Sequence, residues 1–211
     1  DYNIDIYRYD PANNASASVQ FGIVYGHRDG SGSLGTKGAT GDRTTAAVFG
    51  QLNNLINPPE TTTFTFQDNT TSKQVYAIVL NRARMREAIE PGGWELHLTA
   101  SRQGNIAGVT GSKIKLIDDS STNNGGNSFQ RNFAPEYNIV SGSDGSVSGS
   151  GAADKNYGFY YPNMGIMVFS QQELSSSIRG KGVDKDDVVV FDTGSHKGFG
   201  IGTSVDSNKK T

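Results

Sequence analysis

Hydrophobic and polar positions alternate most regularly between residues 74 and 100, a stretch that predicts a strand, a short turn of helix, a tight turn and a second strand. Val75, Ala77 and Val79 interleave with Tyr76, Ile78 and Leu80, so both faces of the first strand are apolar. That is the pattern of a central strand covered on two sides. Arg82, Arg84 and Arg86 break the run, and Pro91-Gly92-Gly93 follows as a turn. There Pro fixes one φ and the glycines supply the positive φ values that a sharp reversal demands. In the second strand Trp94, Leu96 and Leu98 share one face and Glu95, His97 and Thr99 the other, which sends the single Trp into the core.

The rest of the chain follows the same two periods. Tyr2, Ile4 and Ile6 alternate with Asn3, Asp5 and Tyr7, predicting an edge strand within residues 2–9 that Asp10-Pro11 stops. Residues 19–25 read as a strand, and residues 26–41 as a glycine-rich loop, long for a compact domain and suited to ordering against a neighbouring chain. Val48, Leu52, Leu55 and Ile56 recur at helical spacing, so residues 44–57 predict a helix that Thr44 or Thr45 caps and Asn57-Pro58-Pro59 ends. Phe64 and Phe66 lie on one side of a strand at 61–66, and a polar hairpin loop at 67–73 leads into the central strand. Further strands are predicted at 113–117, 137–140 and 188–191, a hairpin at 159–169 around Pro162-Asn163-Met164-Gly165, and a short helix at 171–178. Residues 141–156 hold one large apolar residue, Val147, and predict a mobile excursion.

Together these elements predict a mainly β (α+β) single domain: a mixed or antiparallel sheet or sandwich, one amphipathic helix on a face, and long Gly-rich loops. Its expected core is Val48, Leu52, Ile56, Phe66, Val75, Ala77, Val79, Trp94, Leu96, Leu98, Ile139, Ile166 and Val168.

Composition narrows the function classes. A chain of 211 residues is long enough for one fair-sized core, and an apolar content of 34% with 27 glycines points to many turns around a modest one. A net charge of −2 with both signs interspersed gives no electrostatic footprint for nucleic acid and no polybasic patch for a membrane. The absence of Cys removes disulfides, thiolate catalysis and Cys-zinc sites. The chain opens on Asp1 without a Met, which reads as a processed chain or a fragment of a longer polypeptide.

Candidate chemistry is sparse. Val188-Val189-Val190-Phe191-Asp192-Thr193-Gly194 carries the Asp-Thr-Gly motif of aspartic proteases, in which two Asp residues share a proton. This chain offers one copy, and 17 residues after Gly194 are too few for the rest of a lobe, so Asp192 reads better as a strand-ending turn. Gly30-Ser31-Gly32-Ser33-Leu34-Gly35 spells a dinucleotide-binding pattern without the helix that must open directly after it. His27, His97 and His196 lack metal-ligand spacing, and residues 184–187 lack the Gly and Glu of a calcium loop. Neither an enzyme, a cofactor nor a metal is therefore expected. Arg82, Arg84 and Arg86 are candidates for an interface, binding an anion or carboxylates of another chain, against the alternative of pairing with Glu87 and Glu90. Tyr7, Tyr9, Tyr160 and Tyr161 are candidates for an exposed aromatic platform.

The ordered series FGIVYGH, GSGS, VYAIVLNRARMREAIEPGGWELHL, KLIDDS, YNIVSGS and YGFYYPNMGIMVFS, spanning residues 21–170, resembles virion structural proteins of T4-like tailed phages of the marine cyanophage type. The resemblance implies a particle component of the tail or baseplate, located in the virion after assembly in the host cytoplasm. It implies other virion proteins and further copies of the chain as partners, and no active site. A receptor- or glycan-binding module at a fibre or baseplate tip is the alternative, with an aspartic-type peptidase using Asp192 behind it.

Overall fold

The computed structural model describes residues 3–30, 44–66, 71–99, 113–123, 135–148 and 155–177. Their elements in chain order are β1 (Asn3–Tyr7), β2 (Val19–His27), α1 (Thr44–Ile56), β3 (Phe64–Thr65), β4 (Thr71–Ser72), β5 (Gln74–Leu80) and a single 3-10 turn (Arg82–Arg84). After these come β6 (Leu96–Thr99), β7 (Lys113–Asp118), β8 (Tyr137–Ser143), β9 (Ser146–Val147), β10 (Gly158–Tyr161), β11 (Ile166–Ser170) and α2 (Gln171–Ser177). One curled sheet runs β1-β2-β5-β11-β10-β8-β7-β6, every neighbouring pair antiparallel, with β9 folded back on β8 and β3-β4 a separate ribbon. The mainly β expectation therefore holds, and the sheet is of the antiparallel kind.

Strand β5 occupies the centre that its two apolar faces predict. Ala77 stands between Val24 of β2 and Val168 of β11, and Ile78 between Ile23 and Met167. Period-two geometry then divides the core. On one face Val75, Ala77, Phe159, Tyr161, Ile166 and Val168 meet Phe49, Leu52 and Ile56 of α1 and Phe64 and Phe66. On the other, Tyr25, Tyr76, Tyr160, Met167 and Phe169 meet Leu116, Ile139 and Leu174, with Trp94, Leu96 and Leu98 half-buried against them. Strands β5 and β6 are close in sequence but have β11, β10, β8 and β7 between them in the sheet. It is the curl that brings β6 side chains back over those of β5.

Helix α1 matches its expected span but is rotated from its expected face. Thr45, Phe49, Leu52, Asn53 and Ile56 are buried, whereas Leu55 is 47% exposed. The reason lies at Gly26, where an added Cβ would come within 2.9 Å of the Phe49 nitrogen. The helix backbone rests directly on β2 at that point, which turns Phe49 toward the sheet and Leu55 away. Asn53 donates from Nδ2 to the Thr61 carbonyl at 2.6 Å and accepts Nδ2 of Asn57 at 3.0 Å, so the buried amides fasten the helix end to the turn that follows.

Three further expectations need correction. Val79 is 36% exposed and belongs to neither core cluster; it faces Gly22 across the β2-β5 pair, beyond the cover that α1 provides. Strand β2 continues to His27, so the loop expected at 26–41 starts later, and residues 31–43 lie outside the described residues. Much of 141–156 is not an excursion. Strand β8 runs on to Ser143, turns at Asp144 and Gly145 with φ of 52° and 71°, and returns as β9. Asp-Gly with both φ values positive forms the tight hairpin turn whose twist matches the strands. The strand expected at 188–191 lies outside the described residues.

Two glycines test this packing with opposite signs. A Cβ on Gly158 would lie 2.0 Å from the Val168 carbonyl oxygen, a backbone atom that cannot move without parting β10 from β11. Gly158→Ala is expected to cost about 3 kcal/mol or more. In mid-helix, a Cβ on Gly50 meets nothing within 4 Å. Gly50→Ala is expected to stabilise by roughly 0.5–1 kcal/mol. Urea denaturation midpoints of the two variants check both signs.

Candidate functional site

The end of the sheet where β1 stops, β2 begins and β5 stops gathers most of the predicted interface residues. Asn81 organises it. Its Oδ1 accepts the Ala83 N–H at 3.0 Å and caps the 3-10 turn, its N–H donates to the Gln20 carbonyl at 2.9 Å, and its Nδ2 to the Val19 carbonyl at 2.8 Å. The arginine-bearing turn is thus sewn to the start of β2. Arg82 donates from Nη1 to the Asn163 carbonyl at 3.1 Å, and Arg84 from Nη2 to Ser18 Oγ. The Ser18 carbonyl in turn accepts the Arg8 N–H at 3.2 Å, and the Arg8 guanidinium lies 5.2 Å from the Tyr9 ring centroid. Tyr7 and Tyr9 are 40% and 45% exposed beside it.

Arg84 thus lies beside Arg8, Tyr7 and Tyr9 through Ser18, Arg82 turns toward the β10-β11 turn at the same end of the sheet, and Arg86, although exposed, has no described hydrogen bond. Among the described residues none of these arginines forms an ion pair. The expected alternative of pairing with Glu87 and Glu90 is not realised there; Arg82 reaches only the main-chain carbonyl of Glu87, at 3.5 Å. Sequence reading missed Arg8, Ser18 and Asn163. Only Arg8 gave a signal, as a cation between two tyrosines at the end of an edge strand.

Tyr160 and Tyr161 do not belong to any platform, which corrects their expected exposure. They are 0% and 1% exposed, because β10 is covered on both faces and its successive side chains enter opposite cores. Tyr160 donates to the Ile89 carbonyl at 2.9 Å and packs edge-on against Trp94 at 5.4 Å between centroids; Tyr161 donates to Glu136 Oε2 at 2.6 Å. Burial pushes the Tyr160 phenol well above its ordinary pKa.

The remaining polar clusters hold the fold together. Buried Asp118 accepts the Gly92 N–H through both oxygens, at 3.0 and 2.8 Å, and the Ser120 N–H at 3.1 Å. This fixes the Pro91-Gly92-Gly93 reversal, in which Gly92 has φ of 78° as a turn glycine should. Asp119 accepts the backbone N–H of Asn138 at 2.9 Å and its Nδ2 at 2.7 Å, Asn156 donates to Asn138 Oδ1 at 2.8 Å, and Asn156 Oδ1 accepts the Gly158 N–H at 2.7 Å. Burial raises the Asp119 carboxyl pKa despite the opposing pull of the bonds from Asn138 and Asn123. His27 accepts the Asp29 N–H on Nδ1 at 3.0 Å, and burial lowers its pKa, so it is a neutral, structural imidazole.

At the far edge Glu95 accepts the Asp144 N–H at 2.9 Å and Lys115 Nζ at 3.0 Å and bonds His97 Nε2, the polar strand face expected for Glu95 and His97. Those three partners, in that order of weight, bring the Glu95 carboxyl down to about 2.

Among the described residues no group of three or more His, Asp or Glu side chains stands ready to hold a metal ion, and no helix is long and apolar enough to cross a membrane. Asp192, His196 and the glycine pattern beyond Gly30 lie outside the described residues. No family model, curated protein or solved structure matches the chain.

Two expected outcomes follow from these clusters. Asp118→Ala leaves the Gly92 and Ser120 N–H groups without their acceptor and is expected to cost about 2–3 kcal/mol. A red shift of the single Trp, Trp94, which directly follows the turn, should accompany the loss. For Glu95, a carboxyl whose folded pKa lies below its unfolded value contributes stability above the unfolded pKa and loses it as pH falls through the folded one. The loss should run from pH about 4.5 down to about 2, and Glu95→Gln should remove that part of the acid-denaturation slope in urea titrations made across this range.

Proposed function

We propose that the chain is a structural component of a tailed-phage particle, of the tail or baseplate, which works through repeated contacts with copies of itself or with neighbouring virion proteins. The observation that carries this reading is the open edge of the curled sheet at β1. That strand pairs only with β2, so one row of its main-chain groups has no strand partner among the described residues. A neighbouring chain that adds a strand there gains main-chain hydrogen bonds, with alternate side chains giving specificity. Tyr7 and Tyr9 stand exposed at the end of that edge. The ordered resemblance of residues 21–170 to virion structural proteins adds the particle context.

A glycan-binding role loses half of its aromatic platform to the burial of Tyr160 and Tyr161. The buried acidic network is engaged with backbone N–H groups and amides and offers no reacting centre.

In purified particles the chain is expected at fixed stoichiometry in an electron-microscopy map. The isolated chain is expected to sediment as species that grow with concentration. A chain absent from purified virions and monomeric at high concentration would overturn the reading.

A further inference from the structure

We propose that Arg8, Arg82 and Arg84, with Tyr7 and Tyr9, form a docking site for an extended, carboxylate-rich segment of a neighbouring polypeptide laid along the free edge of β1. The inference rests on the assembly reading for the identity of the neighbour, and on the geometry of the patch for its chemistry.

Charge is the first argument. The Arg84 guanidinium bonds Ser18 Oγ, whose residue also takes the Arg8 main-chain N–H, the Arg8 guanidinium lies over Tyr9, and Arg82 bonds the turn at Asn163; no carboxylate is paired to any of them among the described residues. The acid nearest in sequence, Asp10, is turned into its own loop, where it accepts the Ala12 N–H at 2.9 Å and Asn13 Nδ2 at 2.5 Å. Each guanidinium has five N–H donors and has committed only part of them. The bonds of Arg84 to Ser18 and of Arg82 to Asn163 already restrain those two forks, so a bidentate carboxylate would be bound there with less loss of side-chain freedom.

Composition and shape are the second. Arg and Tyr are among the residues that protein interfaces concentrate, and the cation of Arg8 over the Tyr9 ring presents both together. Arg8, Tyr7 and Tyr9 lie at the C-terminal end of β1 and Arg84 reaches Ser18 beside them, so a strand added to that edge ends against Arg8 and its continuation runs toward Arg84. An acidic polypeptide fits this arrangement better than nucleic acid, because non-specific duplex binding draws on a wide basic face and this chain carries a net charge of −2. Exposed aromatic rings also stack on single-stranded bases, so nucleic acid is the competitor to exclude.

The test uses the full chain and a fluorescent peptide alternating glutamate with valine, followed by anisotropy. Binding is expected to weaken as salt rises and to be absent for the same peptide with glutamine in place of glutamate. The double variant Arg8→Glu, Arg84→Glu is expected to lose at least about tenfold in affinity. It should also gain affinity for a lysine-valine peptide, a reversal that a folding defect does not produce. Arg28→Glu, at the opposite end of β2 and paired with Asp29, should bind as the parent does. Equal binding by the double variant, equal binding of the glutamine peptide, or a single-stranded oligonucleotide that displaces the glutamate peptide would each overturn the inference. Absence of the chain from virions would instead defeat the assembly reading and leave the peptide result standing.

Discussion

Burial of β5, β11 and β10 on both faces is the constraint from which the rest of this architecture follows. A strand with a single buried face tolerates any side chain on the other; these three do not, since Phe159 and Tyr161 enter the core beneath α1 while Tyr160, between them, enters the core inside the curl. Each buried aromatic contributes on the order of 1.5–3 kcal/mol relative to exposure. That gain requires cover on both sides, from α1 on one and from the returning β6-β7 edge and α2 on the other. The helix cover needs close approach, which explains the lack of room for a Cβ at Gly26, while at Gly158 it is the neighbouring strand β11 that leaves none.

Doubly covered strands exclude water, so the polar groups near them must find partners inside. The solutions lie along the line where β7 and β8 meet. Asp118 and Asp119 are consecutive, yet one carboxylate serves the turn that delivers Trp94 and the other serves Asn138, whose amide passes the network to Asn156 and the β10 backbone. Burial disfavours the charged form of Asp119, while the bonds from Asn138 oppose that penalty. The energetic return is positional: residues remote in sequence are fixed to within hydrogen-bond distance of one another, and the curl acquires a defined radius.

Much of this was legible in the sequence where a single local rule decides. The two apolar faces of residues 74–80, the hairpin at Pro162-Asn163-Met164-Gly165 and the span of α1 follow from period and turn chemistry. Failures occurred where tertiary contact decides. Helical spacing admits both Leu55 and Phe49, and only the approach to Gly26 selects Phe49. Tyr160 and Tyr161 resemble surface aromatics when β10 is read alone, because double coverage depends on where β6 and α1 return. The turn at Asp144-Gly145 is different: its signal was local and was outweighed by the glycine and serine content around it.

The same physics explains why the arginine surface stands apart from the rest of the molecule. Elsewhere some charged side chains beside the sheet are paired, as Glu95 is with Lys115 and the buried Glu173 with Lys155. Exposed ion pairs contribute little to stability, so the lack of one at Arg8, Arg82 and Arg84 among the described residues costs the fold little. What the fold does supply is placement. Asn81 fastens the 3-10 turn to β2, Ser18 joins the turn to the end of β1, and the hairpin turn at Asn163 holds Arg82. Two of these guanidinium groups, those of Arg82 and Arg84, are hydrogen-bonded to the scaffold, and none of the three is paired with a carboxylate among the described residues. For a carboxylate partner of the kind proposed, part of the conformational cost of binding those two donors would already have been met by folding.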